Sequence, residues 1–283
     1  MISRINYYLT SLLTLIIQIK NWHVLWTLPL TKNLIIELRN GLQFKVHSLM
    51  DVWIIKETCL DRDYETHGAV IEDGWTVIDI GAAGGDFAIL TAHEHPTAWL
   101  LAYEPSPASY ALLRENLSLN RVGNVQTFPL AVASRNGPLT LSTFGEAVQY
   151  STSQNKRSAS DQKTIEVQAI GLEDVFRTNG LKRCHFLKMD CEGGEFDILL
   201  NTKPETLQLI DRICLEYHDG FTEFSHTDLV KHLQQYGYRV KITPNPVHSY
   251  LGFLYAYRDS SLNSAPTSEI SPQRAQKTTK ENL

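Results

Sequence analysis

The 283-residue sequence has only four cysteines, and no two of them form a Cys-x-x-Cys pair. That argues against a thiol-based redox or zinc motif, so Cys59, Cys184, Cys191 and Cys214 read as reduced, buried thiols of a cytoplasmic protein. Positive charge is not in excess either. The 26 Lys and Arg face 31 Asp and Glu, a net charge of −5, which leaves no bulk attraction to nucleic acid. A membrane-spanning run is also missing. The most apolar stretch, "YYLTSLLTLIIQI" between Arg4 and Lys20, falls short of the roughly 20 residues a bilayer requires, and no small-residue cleavage site follows it. Within it Leu9, Leu12, Leu13, Ile16 and Ile17 recur at the spacing of an amphipathic helix face. The expectation is that this face docks on the chain's own core, with peripheral membrane contact as the alternative.

With 43% hydrophobic residues, the chain can bury a large core, and its patterns fall into three parts. Residues 1–75 read as a small cap made of the N-terminal helix and a hairpin, "NLIIELRNGLQFKVH", with Asn40-Gly41 at the turn. Residues 76–258 alternate strand and helix patterns: "TVIDI", "WLLAYE", "VQTFPLAV", "HFLKMD", "RICLEY", "YRVKIT" and "YLGFLYAYR" are the strands. Near-continuous apolar strands separated by helices imply a mostly parallel α/β sheet covered on both faces. One helix has a clear start, with Ser106 as N-cap and Pro107 at its first position. Residues 134–165 are polar and Ser-rich without a clear period and read as a loop or lid. Residues 259–283 read as a disordered tail.

Open α/β sheets bind ligands at the carboxyl ends of their strands. The first strand ends in "DIGAAGGDF", where Gly81, Gly84 and Gly85 let the backbone approach a ligand. They do not make the Gly-x-Gly-x-x-Gly fingerprint of dinucleotide sites, which counts against an NAD-dependent oxidoreductase. The second strand ends in Glu104, 25 positions after Asp79; an acid there accepts hydrogen bonds from both hydroxyls of a ribose and repels a 2′-phosphate. The fourth strand runs into "KMDCEGGE", residues 188–195. Period-2 alternation puts Lys188 and Asp190 on one side of it and Met189 and Cys191 on the other. Glu195 suits the N-terminus of the following helix. "LEYHDG" then brings Glu216 and His218 to the next strand end.

In order and spacing, "VIDIGAAGGDF", "AYEPSP", "NLSLN", "FPLAV", "LKMDCEGGE" and "LEYH" resemble the FkbM-type S-adenosylmethionine-dependent methyltransferases from about Thr76 to Arg258. Ala83 stands where an Asn is usual in that family. The resemblance implies a Rossmann-like class I methyltransferase fold, with a seven-stranded, mostly parallel sheet and the small N-terminal cap added. It implies an S-adenosyl-L-methionine cofactor held by Asp79, Gly81, Ala82, Gly84, Gly85, Glu104 and Asp190, with adenine beside Pro129 to Ala131. It implies methyl transfer to a hydroxyl of a small molecule, sugar or lipid. On that reading Asp190, Glu192, Glu216 and His218 form the catalytic group, and His218, with an ordinary pKa near neutrality, takes the acceptor's proton. The same oxygen-rich cluster would alternatively hold Mg²⁺ or Mn²⁺, although no metal is assigned. A catalytically silent binding module is the remaining alternative.

Deleting residues 259–283 is expected to leave the melting temperature unchanged, since the segment has too few apolar residues to pack; a clear drop would show that it docks on the domain.

Overall fold

The computed structural model describes residues 2–28, 30, 31, 33–144, 147–149 and 163–258. The tail after Arg258 lies outside the described residues. Helix α1 (Ile2–Gln18) leads into the hairpin β1 (Leu34–Glu37) and β2 (Gln43–Val46). Helix α2 (Leu49–Ile55) starts with a Ser48–Asp51 capping box and runs through a single π turn, Lys56–Leu60, before the short α3 (Asp63–His67). Then come β3 (Thr76–Ile80), α4 (Asp86–Glu94), β4 (Trp99–Tyr103), α5 (Pro107–Asn120), β5 (Val125–Phe128), β6 (Ala131–Ala133), β7 (Gly137–Phe144), β8 (Ala147–Gln149) and β9 (Lys163–Gly171). The chain continues as α6 (Leu172–Thr178), β10 (Phe186–Met189), α7 (Gly194–Asn201), α8 (Pro204–Leu207), β11 (Arg212–His218), α9 (His226–Gln235), β12 (Arg239–Pro244) and β13 (Leu251–Tyr257).

The expected seven-stranded sheet is present in the order β12-β13-β11-β10-β3-β4-β5. Its strands are parallel except β13, which runs antiparallel to both neighbours. From β3 the chain moves outward through β4 and β5, then returns to the other side of β3 as β10. The order therefore reverses between β3 and β10, where open sheets part to admit a ligand.

The strands are apolar on both faces because both are covered. Ile78, Leu101, Leu187 and Leu215 pack under α6, α7 and α9. Val77, Leu100, Phe186 and Cys214 pack under α4, α5 and the hairpin, which contributes Ile36, Phe44 and Val46 to the same core. All four cysteines are buried and free.

Three expectations change. Within the stretch 134–165, expected as a loop or lid, residues 137–144, 147–149 and 163–165 belong to strands of a second, four-stranded sheet in the order β6-β9-β7-β8, while residues 145, 146 and 150–162 lie outside the described residues. The sheet's period of two is carried by Leu139 and Leu141 and by Ile165, Val167 and Ala169, with Thr140, Glu166 and Gln168 between them. "FPLAV" accordingly divides, β5 staying in the large sheet and β6 joining the small one. The hairpin turn has Gly41 alone at positive φ; Leu38 N–H donates to Leu42 O and Gly41 N–H to Leu38 O, closing a three-residue connection. Most consequentially, α1 docks through Tyr7, Ser11 and Leu15, while Leu9, Leu12, Leu13, Ile16 and Ile17 face outward. No helix among the described residues is long and apolar enough to cross a membrane.

Asn116 ties these parts together. Its carbonyl oxygen accepts Lys45 N–H at 2.7 Å, and its amide donates to Gly84 O at 2.9 Å and Lys45 O at 3.3 Å. It is 1% exposed, so Asn116→Ala is expected to cost about 2–3 kcal/mol through stranded backbone groups. Chemical denaturation checks this; an unchanged midpoint would mean that the hairpin is held elsewhere.

Candidate active site

Gly81, Ala83 and Gly85 take positive φ of 78°, 45° and 88°, so the turn after β3 alternates hand and aims successive N–H groups in different directions. Gly81 N–H and Ala82 N–H both donate to Tyr103 O, binding the turn to the tip of β4. A Cβ at Gly81 would lie 1.8 Å from Asp190 O; only glycine lets the tips of β3 and β10 come this close. Gly85 is the N-cap of α4, and Gly84 receives the Asn116 bond. Ala83 occupies the left-handed region without a side chain suited to it, where the family's usual Asn is tolerated.

Glu104 sits at the end of β4, 6% exposed. Its Oε2 accepts Ala83 N–H at 2.9 Å and its Oε1 accepts Ser106 N–H at 2.8 Å. The carboxylate thus joins the glycine turn to the start of α5, and each oxygen keeps a lone pair for a further donor. Burial pushes its carboxyl up to about 7 against those two backbone bonds. Ala131 is fully buried in the core on the sheet's other face, and Pro129 is the exposed residue of its segment. Any contact with a ligand there falls to Pro129 and the backbone rather than to the Ala131 side chain.

Period-2 alternation puts Asp79, Lys188, Asp190, Glu216 and His218 on the face covered by the N-terminal cap. Lys188 Nζ lies 3.0 Å from Asp79 Oδ1 and donates to Gly81 O at 2.7 Å. Burial opposes its charge, yet Asp79, Asp190 and Asp86 hold the ammonium above lysine's ordinary range. Asp79 is wholly buried; its Oδ1 meets the Lys188 ammonium, and its Oδ2 has no hydrogen-bond partner among the described residues. Burial pushes its carboxyl up to about 6 although Lys188 pulls the other way. A buried carboxylate oxygen without a donor, beside a glycine cradle, suits a cationic or hydrogen-bond-donating group.

Beyond Asp190 the carboxylates crowd. Tyr64 Oη donates to Asp190 Oδ2 at 3.0 Å. Glu192 takes φ of 52°, another left-handed position. Burial pushes its carboxyl up to about 7, with His218 pulling down and Asp190 and Glu195 pushing up. Glu216 is raised well above the carboxylate range by burial and then by Asp190. His218 is 4% exposed; its Nδ1 is 3.1 Å from Glu195 Oε1 and its Nε2 is 3.4 Å from Glu192 Oε2. One ligand atom each from Asp190, Glu192 and His218 lies within 4.8 Å of the others, a spacing at which a single divalent cation could meet all three.

The structure gives His218 a different charge from the one its ordinary pKa suggests. Burial alone would lower it, but the Glu195 hydrogen bond and the charges of Glu195, Glu192 and Glu216 push it up to about 10. An imidazolium has no free base to offer at neutral pH. Glu195, expected only as a helix-start acid, does open α7, and it also accepts His218 N–H, fixing both ring and backbone. From the cap, Tyr64 reaches Asp190, and Glu57 accepts Tyr7 Oη and Trp53 Nε1 at 2.9 and 2.8 Å. No spacing in the sequence pointed to these cap residues. Glu195 was legible only as part of "EGGE".

The model of the methyltransferase FkbM domain matches residues 79–240, more than half of the chain. Among curated proteins, the chain is 28% identical to "Methyltransferase 1" of Beauveria bassiana, over 61% of this chain and 76% of that one. It is 24% identical to "31-O-demethyl-FK506 methyltransferase FkbM" of Streptomyces tacrolimicus, over 69% and 84%. It is 28% identical to "2-O-methyltransferase NoeI" of Sinorhizobium fredii, over 50% and 63%.

Ala83→Gly is expected to stabilise the protein by about 0.5–1 kcal/mol by relieving the left-handed strain. Thermal denaturation checks it; a lower melting temperature would mean that the Ala83 methyl group packs usefully.

Proposed function

The chain belongs to the FkbM methyltransferase family, and from that premise we propose that it methylates a hydroxyl oxygen of its acceptor with S-adenosyl-L-methionine. The observation that carries this reading is the meeting of three things at the reversal between β3 and β10: a glycine cradle, the buried acid Glu104 bonded to it, and the carboxylate and histidine cluster. Two of the relatives are O-methyltransferases by name.

When bound, S-adenosyl-L-methionine supplies a methyl group on a cationic sulfur. Gly81, Ala82, Gly84 and Gly85 would let the backbone approach it closely, Glu104 would accept hydrogen bonds from its ribose hydroxyls with its free lone pairs, and Asp79 and Asp190 would supply negative charge to its positive groups. Methyl transfer is an in-line displacement, so alignment and exclusion of water are most of the protein's task. The remaining task is a proton. An alcohol becomes an adequate nucleophile as its proton passes to a base, and Glu192, with a pKa of about 7, is matched to that work. As the acceptor oxygen takes the methyl group, Glu192 would take and hold the hydroxyl proton. His218 acts as a fixed cation: held by Glu195, it favours the ionised form of Glu192 and points it into the site. Glu216, neutral beside Asp190, offers the acceptor a hydrogen-bond donor.

Glu192 must be ionised to act, so kcat/KM is expected to rise with pH through about 7 and then level off. Glu192→Gln should lower the rate about 10²-fold or more. His218→Gln removes the charge that keeps the Glu192 pKa down, so it should move the rising limb to higher pH while leaving it in place. Turnover of the cofactor with pooled sugars and alcohols supplies the assay. Loss of the limb in His218→Gln would return the base to His218, and cofactor binding without turnover on any hydroxylated acceptor would favour a silent binding module.

A further inference from the structure

We propose that the N-terminal segment docks the protein onto a negatively charged phospholipid surface. Helix α1 is fastened from one side only: Tyr7 Oη bonds Glu57, Ser11 is buried, and Leu15 packs on the hairpin core. On its other side Leu9, Leu12, Leu13, Ile16 and Ile17 are between 36% and 57% exposed. These five residues have the spacing of one continuous helix face. The apolar surface does not end with the helix. Trp22, Trp26 and Leu30 follow it, the last two 78% and 85% exposed. Leucine and isoleucine flanked by tryptophan is the composition of a helix lying in the plane of a membrane interface, where indole rings settle at the headgroup level. At 17 residues α1 is too short to cross the bilayer.

Charge identifies the occupant of this face. The first 50 residues contain Arg4, Lys20, Lys32, Arg39 and Lys45 against a single acid, Glu37; Lys20 is held by Glu37 at 2.7 Å and Lys45 by Glu115 of α5 at 2.6 Å. The segment is thus net +4 in a chain of net −5, and the remaining residues carry −9. An anionic surface attracts this end and repels the rest, which orients the protein as well as binding it. A second copy of the chain would bring an identical positive segment against this one, and the like charges oppose such pairing. Burial of the leucine face and attraction of the basic residues act together on an anionic bilayer.

The inference does not depend on the methyltransferase reading and is tested without any enzyme assay. Full-length protein is sedimented with phosphatidylcholine vesicles, with and without about 30% phosphatidylserine. Binding to the anionic vesicles is expected to be at least about tenfold tighter than to the neutral ones and to weaken at about 0.5 M salt. The double variant Leu12→Glu, Leu13→Glu changes two exposed positions, so it should keep the wild-type melting temperature while losing about tenfold or more of the vesicle binding. Failure of the wild type to sediment with either vesicle would overturn the proposal, as would equal binding by the variant. A concentration-dependent dimer that the double variant dissolves, without vesicle binding, would assign the face to a second copy of the chain.

Discussion

An ammonium group and a carboxylate buried together at the junction of two strands set the geometry on which the rest of the site depends. Lys188 reaches from β10 to Asp79 on β3 and also holds the carbonyl of Gly81. Removing two charges from water is costly, and their attraction offsets that cost only where further hydrogen bonds complete the shell. Here the shell is incomplete on the Asp79 side. The pair therefore fixes the glycine turn and at the same time leaves one oxygen of a buried carboxylate without a donor, next to the point where the strand order reverses. The Tyr64 ring lies 5.2 Å from the same ammonium and its hydroxyl binds Asp190, so the cap is tied to the same centre.

From that centre the charges are graded. Lys188 balances Asp79, and farther along the sheet Glu195 balances His218, leaving Asp190, Glu192 and Glu216 with less positive charge than they need. Crowded carboxylates answer by keeping protons. This is how crowding beside Asp190 lifts Glu192 to about 7 and Glu216 well above the carboxylate range. The same crowding makes His218 a cation. Two left-handed residues, Ala83 and Glu192, mark where the backbone is strained to hold this arrangement.

Much of this was legible in the residues alone. The strands of the large sheet, the glycine turn, Glu104 and the acid-rich end of β10 follow from apolar runs and from the order of the motifs. What was not legible has physical causes. The strands β7 and β9 are hidden because their exposed residues include Thr140, Thr164, Glu166 and Gln168, a composition shared with loops; Leu139, Leu141, Ile165 and Val167 keep the period. The leucine stripe of α1 was correctly seen as a stripe, but periodicity does not say what the stripe faces, and the side that docks is the one with Tyr7 and Ser11. A pKa is a property of neighbours distant in sequence, so the charge of His218 waited on Glu195, 23 residues away. Tyr64 and Glu57 come from the cap, whose approach to the strand tips no local pattern encodes.

The account rests most directly on the pairing of the glycine turn with Glu104. Titration calorimetry of the full chain with S-adenosyl-L-methionine tests it: the wild type is expected to bind, and Glu104→Ala to lose about 2–3 kcal/mol, the scale of hydrogen bonds to a charged group. Equal affinity in the two proteins, or no binding by the wild type, would contradict it.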